Sequence, residues 1–215
     1  MSIRIHGDRL IKTLAGLATR PTSSKVRAAV FNILQGRVKN ANWLDICAGS
    51  GAMGAEALAR GAKQVVGIEL SAIACRIVNE NWQKIAQDEQ KFQVIKGDAI
   101  KVLPKLPPHT FNLVYFDPPY QSELYEPVLK CLPPLLADEA MVIAEGDRLR
   151  LLPDQIGDLV CCDRRQYGQT ALAIYKCRQS WTHKWGGGAP RCHPILGLSK
   201  CLALRGTCLI YYCLF

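Results

Sequence analysis

The run Asp45-Ile46-Cys47-Ala48-Gly49-Ser50-Gly51 decides how this chain folds. It joins an apolar strand candidate at residues 43–47 to a helix-like stretch at 52–60. Glycine enters φ > 0 without a steric penalty and lets backbone N–H groups approach a ligand closely. Gly49, Gly51 and Gly54 stand at the G-x-G-x-x-G spacing of a nucleotide-binding strand–turn–helix. Glu69 ends the next strand candidate, where a carboxylate can take a ribose hydroxyl. The spacing alone does not choose between nucleotide cofactors.

Working outward from this turn, β-rich runs at 65–69, 92–96, 111–116 and 140–145 alternate with helical stretches at 71–85, 98–103 and 124–136. Ser71 is an N-cap candidate, and Ile73, Ile77, Val78, Trp82 and Ile85 follow at helical spacing. The continuous apolar run 111–116 suits a strand buried on both faces of a parallel sheet. Residues 159–164 and 170–176, split by Tyr167-Gly168, read as a closing antiparallel pair. The expected fold is α/β, Rossmann-like, with a mostly parallel seven-stranded sheet and helices on both faces.

Three segments are expected. Residues 1–40 form a basic N-terminal segment whose amphipathic helix starts at Thr22-Ser23 and carries Val26, Val30 and Leu34 inward. Residues 41–177 form the catalytic domain. Residues 178–215 are basic and cysteine-rich, with a Gly186-Gly187-Gly188-Ala189-Pro190 linker, and are expected to lie outside the core fold.

Two carboxylates point to S-adenosylmethionine. Asp45 precedes the glycines, where it can meet a cationic methionine moiety and would repel a pyrophosphate. Asp98-Ala99 follows the third strand and can meet an adenine amine, a role compatible with Asp98 also capping a helix. Ala48, Gly49, Ser50 and Gly51 complete the cofactor loop.

Asp117-Pro118-Pro119-Tyr120 follows the fourth strand at its carboxyl end, the edge where open α/β sheets bind ligands. An exocyclic amine on a base is a poor nucleophile, because its lone pair is delocalised into the ring. Asp117 can accept one N–H and the Pro118 carbonyl, held by the rigid Pro118-Pro119 unit, the other, which aims the lone pair at a methyl donor. Tyr120 offers a ring on which a flipped base can stack.

Charge agrees with a nucleic-acid substrate. Lys and Arg total 27 against 18 acids, a formal net charge of +9, which favours polyanionic partners. No apolar run approaches the roughly 20 residues that span a bilayer. The first ten residues carry Arg4, Asp8 and Arg9, unlike a secretory signal peptide. A cytoplasmic monomer is the expectation. Of ten cysteines, Cys47 sits in an apolar run as a small hydrophobe. Cys192, Cys201, Cys208 and Cys213 crowd the tail with no regular metal-ligand spacing, so no metal is expected.

Together these motifs resemble the RsmD-type bacterial 16S rRNA (guanine-N2)-methyltransferases. The resemblance runs through residues 19–22, 25–34, 45–62, 117–120 and 165–169, and so through almost all of 3–177. It implies a class I methyltransferase fold, S-adenosylmethionine as methyl donor, and N2-methylguanosine in small-subunit (16S) rRNA as product. Carried over residue by residue, it puts the cofactor on Asp45, Ala48, Gly49, Ser50, Gly51, Glu69, Asp98 and Ala99, and the chemistry on Asp117, Pro118, Pro119 and Tyr120. The basic Arg20, Lys25 and Arg27 are expected beside the cleft, on rRNA phosphates. Residues 3–16 are shorter than the Gly- and basic-rich hairpin usual in the family, and residues 178–215 have no counterpart in it. The rivals are DNA adenine-N6 methylation, a hydride-transferring dehydrogenase and a non-catalytic RNA-binding protein, with an exocyclic amine of another RNA as a further substrate alternative. The first lacks room for a module reading DNA bases, the second is disfavoured by Asp45, and the third leaves Asp117–Tyr120 without a purpose.

Overall fold

The computed structural model describes residues 2–14, 23–119, 122–150 and 152–178. It opens with a small antiparallel hairpin, β1 (Ser2–Arg4) and β2 (Leu10–Lys12), in which Ile3 faces Ile11. Helix α1 (Ser24–Ile33) follows, its first turn capped by Ser23, whose hydroxyl accepts from the Val26 N–H at 3.2 Å. The main domain then runs β3 (Asn42–Ile46), α2 (Ala52–Ala59), β4 (Gln64–Glu69), α3 (Ala72–Ile85), β5 (Lys91–Lys96), α4 (Ala99–Val102), β6 (Phe111–Phe116), α5 (Tyr125–Cys131) and β7 (Leu136–Asp147). It closes with β8 (Gln155–Ile156), β9 (Leu159–Tyr167) and β10 (Thr170–Cys177).

The sheet order is β5-β4-β3-β6-β7-β10-β9-β8. Strands β5 to β7 are parallel and the last three pair antiparallel. The sheet therefore has eight strands rather than the expected seven. The added strand, β8, is two residues long, too short to show any alternation in sequence. The expected helix at 124–136 is also shortened, because Pro133 and Pro134 cannot continue an α-helix. The chain instead turns through Pro133–Leu135 and enters β7 early, at Leu136.

After β5 the chain crosses back to place β6 on the other side of β3. That reversal opens a crevice beyond the carboxyl ends of β3 and β6, into which the conserved geometry of a parallel sheet delivers the strand-end residues. One face of the sheet packs against the hairpin, α1, α2 and α3, burying Ile5, Ile11, Val26, Val30, Phe31, Trp43, Trp82 and Tyr115 in one cluster. Phe31 stacks on Trp43 with ring centroids 5.4 Å apart. The other face packs against α4 and α5 through Leu103, Val128, Leu129 and Tyr125. Each such side chain contributes about 1.5–3 kcal/mol on burial. The described part of residues 2–40 thus shares the core of the main domain. In α3 the buried stripe is Ala74, Val78, Asn81, Trp82 and Ile85, while Ile73 faces outward. No helix among the described residues is long and apolar enough to cross a membrane.

Candidate active site

The turn after β3 is shaped by three left-handed residues, Cys47 (φ 64°), Gly49 (φ 56°) and Gly51 (φ 73°). The N–H groups of Cys47 and Ala48 both donate to the Ile68 carbonyl, pinning the turn to β4. The glycines serve different ends. A Cβ on Gly49 would meet nothing within 4 Å, so this residue faces open space. A Cβ on Gly51 or Gly54 would stand 2.8 or 2.2 Å from the Trp82 ring. Helix α2 has no side-chain cap of its own at Gly51. Asp45 supplies the acceptor from β3, its Oδ2 taking the Gly54 N–H at 2.9 Å.

A cavity of about 760 Å³ opens beyond these strand ends. Its lining brings together Asp45, Glu69, Asp98, Asp117 and Glu145, with no Lys, Arg or His among the described residues. Ala48, Gly49, Ser50, Ala99, Pro118 and Pro119 line it too. The electrostatic consequence is visible at Cys47, whose thiol is pushed up to about 12 by burial and then by the surrounding Glu69, Asp117, Asp45 and Asp98 carboxylates. This thiol is no nucleophile at neutral pH. Asp45 is likewise raised, to about 7, by burial, with the Gly54 N–H opposing and Glu69 adding to the rise. Such a cavity welcomes a cation and repels a pyrophosphate.

Glu69 accepts from the Gly49 N–H at 2.8 Å and the Ser71 N–H at 2.9 Å, so it orders the glycine turn while presenting a carboxylate to the cavity. Asp98 caps α4, accepting from the Ile100 N–H at 2.9 Å, which is the compatible second role expected of it. Asp117 is anchored through its N–H to the Ile46 carbonyl at 3.2 Å. It therefore sits between the β3 and β7 halves of the cavity. Pro118 is buried and Pro119 exposed. Tyr120 lies outside the described residues. So does Arg20.

Lys25 is exposed on the first turn of α1, two residues from Ser23, which lines the cavity. Arg27 requires a correction. It is 6% exposed, its Nε lies 3.3 Å from Glu56, and its guanidinium donates to the Arg4 carbonyl at 2.6 Å. A side chain committed to a buried carboxylate and a backbone oxygen is not available to an rRNA phosphate. It ties the hairpin to α2, together with the His6 N–H, which also donates to Glu56.

Sequence reasoning missed four residues. Tyr115, Glu145 and Thr170 line the cavity from β6, β7 and β10. A Glu inside the apolar run at 140–145 was the available signal, since an acid in a buried strand needs a reason. Asn81 is the fourth. Buried on α3, it donates to the Lys12 and Ser50 carbonyls, both at 2.9 Å, and accepts from the Lys12 N–H. It thereby couples the hairpin to the glycine turn.

The profile of the family described as Conserved hypothetical protein 95 matches residues 3–176. A Bacillus subtilis (strain 168) protein named "Putative rRNA methyltransferase YlbH" is 33% identical over 174 residues, covering 79% of this chain and 94% of that protein. "Ribosomal RNA small subunit methyltransferase D" of Escherichia coli (strain K12) is 32% identical over 160 residues, covering 73% and 79%. Among solved structures, "Putative methyltransferase yhhF from Escherichia coli" superposes with a TM-score of 0.71 at 30% identity, covering 82% of this chain and 98% of that one. These findings bear out the resemblance and the class I methyltransferase fold expected from the motifs.

Proposed function

The chain belongs to the Conserved hypothetical protein 95 family, and from that premise we propose that it transfers a methyl group from S-adenosylmethionine to the exocyclic N2 of a guanine in small-subunit (16S) rRNA, forming N2-methylguanosine. It acts as a cytoplasmic monomer on the rRNA or the small ribosomal subunit. The observation that carries the reading is the ring of five carboxylates, without a base among the described lining residues, around a cavity at the switch point of the sheet. S-adenosylmethionine, when bound, supplies an electrophilic methyl on a cationic sulfur.

The protein's part is to bind and orient. Asp45 faces the positive charge of the donor, Glu69 takes ribose hydroxyls, and Asp98 with Ala99 meets the adenine. The open face of Gly49 lets the ligand approach the backbone. Asp117 accepts one N–H of the guanine amine and the Pro118 carbonyl the other, holding the lone pair toward the methyl and stabilising the ammonium as charge develops. Tyr120, next in sequence, stacks on the base. Lys25 and Arg20 hold phosphates outside the acidic cavity.

The test is to incubate the protein with isotopically labelled S-adenosylmethionine and unmodified small-subunit rRNA, free and assembled, then digest to nucleosides for mass spectrometry. Label in N2-methylguanosine supports the reading. Label only in N6-methyladenosine, or none in RNA, rejects it.

A further inference from the structure

Glu145 is one of the five cavity acids, and the reading above gives it no contact with the base. It is 3% exposed, on β7, and lines the same cavity as Asp117. The parallel register pairs Tyr115 with Ile143 and Phe116 with Ala144. Continuing that register by one residue brings Asp117, just past the end of β6, level with Glu145, two residues before the end of β7, on one face of the sheet. The hydroxyl of Tyr115 donates to Glu145 Oε2. Tyr115 is itself clamped, stacked against Trp43 at 6.4 Å. Thr170, at the start of β10, lines the cavity beside them. This polar group occupies the half of the cavity over β6, β7 and β10, away from the glycine turn and Glu69.

We infer that Glu145, oriented by Tyr115, is the residue that selects guanine, by accepting the ring N1–H next to the amine that Asp117 holds. The inference rests on the functional reading above. Guanine carries its exocyclic N2 beside an N1–H donor, whereas adenine carries its exocyclic N6 beside an N1 acceptor. A carboxylate at that place attracts the first and repels the second. A buried site built to accept a substrate N–H discriminates strongly against an analogue lacking it, because its polar group is then left unpaired. Asp117 and Pro118 alone would hold any planar exocyclic amine. Glu145 makes the site choose.

The discriminating probe is 2-aminopurine, which keeps the N2 amine but presents an N1 acceptor. Splint-ligated small-subunit rRNA is prepared with guanine, 2-aminopurine or adenine at the nucleotide that the wild-type protein methylates. The wild type should methylate guanine on the order of ten-thousandfold faster than 2-aminopurine, the range for a missing hydrogen-bond donor. Glu145→Gln, whose amide can donate to an N1 acceptor, should lose guanine activity and narrow that ratio at least tenfold. Tyr115→Phe should narrow it less. Equal wild-type rates on guanine and 2-aminopurine overturn the assignment without reference to any variant's folding. So does an unchanged ratio in a folded Glu145→Gln. Wild-type label on adenine N6 overturns the guanine reading itself, and this assignment with it.

Discussion

The indole nitrogen of Trp82 donates to the carbonyl of Gly51 at 2.8 Å, from the last turn of α3 to the start of α2. The same ring fills the space where a Cβ would stand on Gly51, on Gly54 and on Gly67 of β4. Two of the three glycines in the nucleotide-binding spacing are therefore packing requirements of one tryptophan. Of the three, Gly49 opens into the cavity.

Gly54→Ala tests this. In an ordinary helix interior the change stabilises by up to about 1 kcal/mol. Here the new methyl would sit 2.2 Å from the indole and 2.9 Å from Val65, and overpacking costs about 1–3 kcal/mol. The clash should win, lowering the melting temperature. Combining it with Trp82→Phe should recover part of that loss. Strictly additive losses in the double variant would show that the ring is not what excludes the methyl.

Arg27 and Lys25 should behave oppositely. Arg27→Ala strips a partner from buried Glu56, a change that costs about 3–5 kcal/mol in comparable pairs. Arg60, whose guanidinium remains 2.8 Å from Glu56, should hold the loss near the lower end. Lys25→Ala should leave the melt unchanged and weaken rRNA binding, with the slope of log affinity against log salt falling by somewhat under one. A salt titration and a thermal melt on both variants decide the matter.

Asp45 predicts a pH dependence. Its carboxyl is raised from 3.8 to about 7 in the folded protein, so the folded state binds the proton more tightly than the unfolded chain. Its ionisation therefore opposes folding: this contribution falls as pH rises between about 4 and 7, by at most about 1.4 kcal/mol per pH unit, and is level above 7. A cationic ligand favours the ionised form, so S-adenosylmethionine should bind more tightly at pH 8 than at pH 6. Calorimetry across that range checks it, and Asp45→Asn should remove most of the dependence. A pH-independent wild-type affinity would count against the contact.

Asp117→Ala should separate binding from chemistry. The anchor to Ile46 is a backbone N–H, so the loop survives and S-adenosylmethionine affinity should hold. Methyl transfer to rRNA should fall on the order of a hundred- to a thousandfold, as for removal of one preorganised polar contact. Turnover near the wild-type rate would remove Asp117 from the mechanism.

The fold was legible because its signals are local. Apolar runs of strand length, helical spacing around Trp82 and the closing pair around Tyr167-Gly168 each depend on a few neighbouring residues, and the glycine turn marks where strand meets helix. The breaks came at short or proline-bounded pieces. The two residues of β8 carry no periodicity, and β7 begins at Leu136 because Pro133-Pro134 stop the helix that apolar spacing alone would extend.

At the site, sequence determined which residue types stand at strand ends: Asp45 before the glycines, Glu69, Asp98, and Asp117 with its prolines. Position along a strand is enough for that, since a parallel sheet delivers its carboxyl ends to one edge. Only the tertiary structure decided which way each side chain is spent. Arg27 lies on a basic helix start in sequence, yet the hairpin and α2 close over it and Glu56 claims its charge. Glu145 hides in an apolar run, and becomes a cavity residue only because β6 lies beside β7 in register. Both outcomes depend on contacts between segments far apart in the chain, where burial raises the cost of an unpaired charge and so dictates its partner.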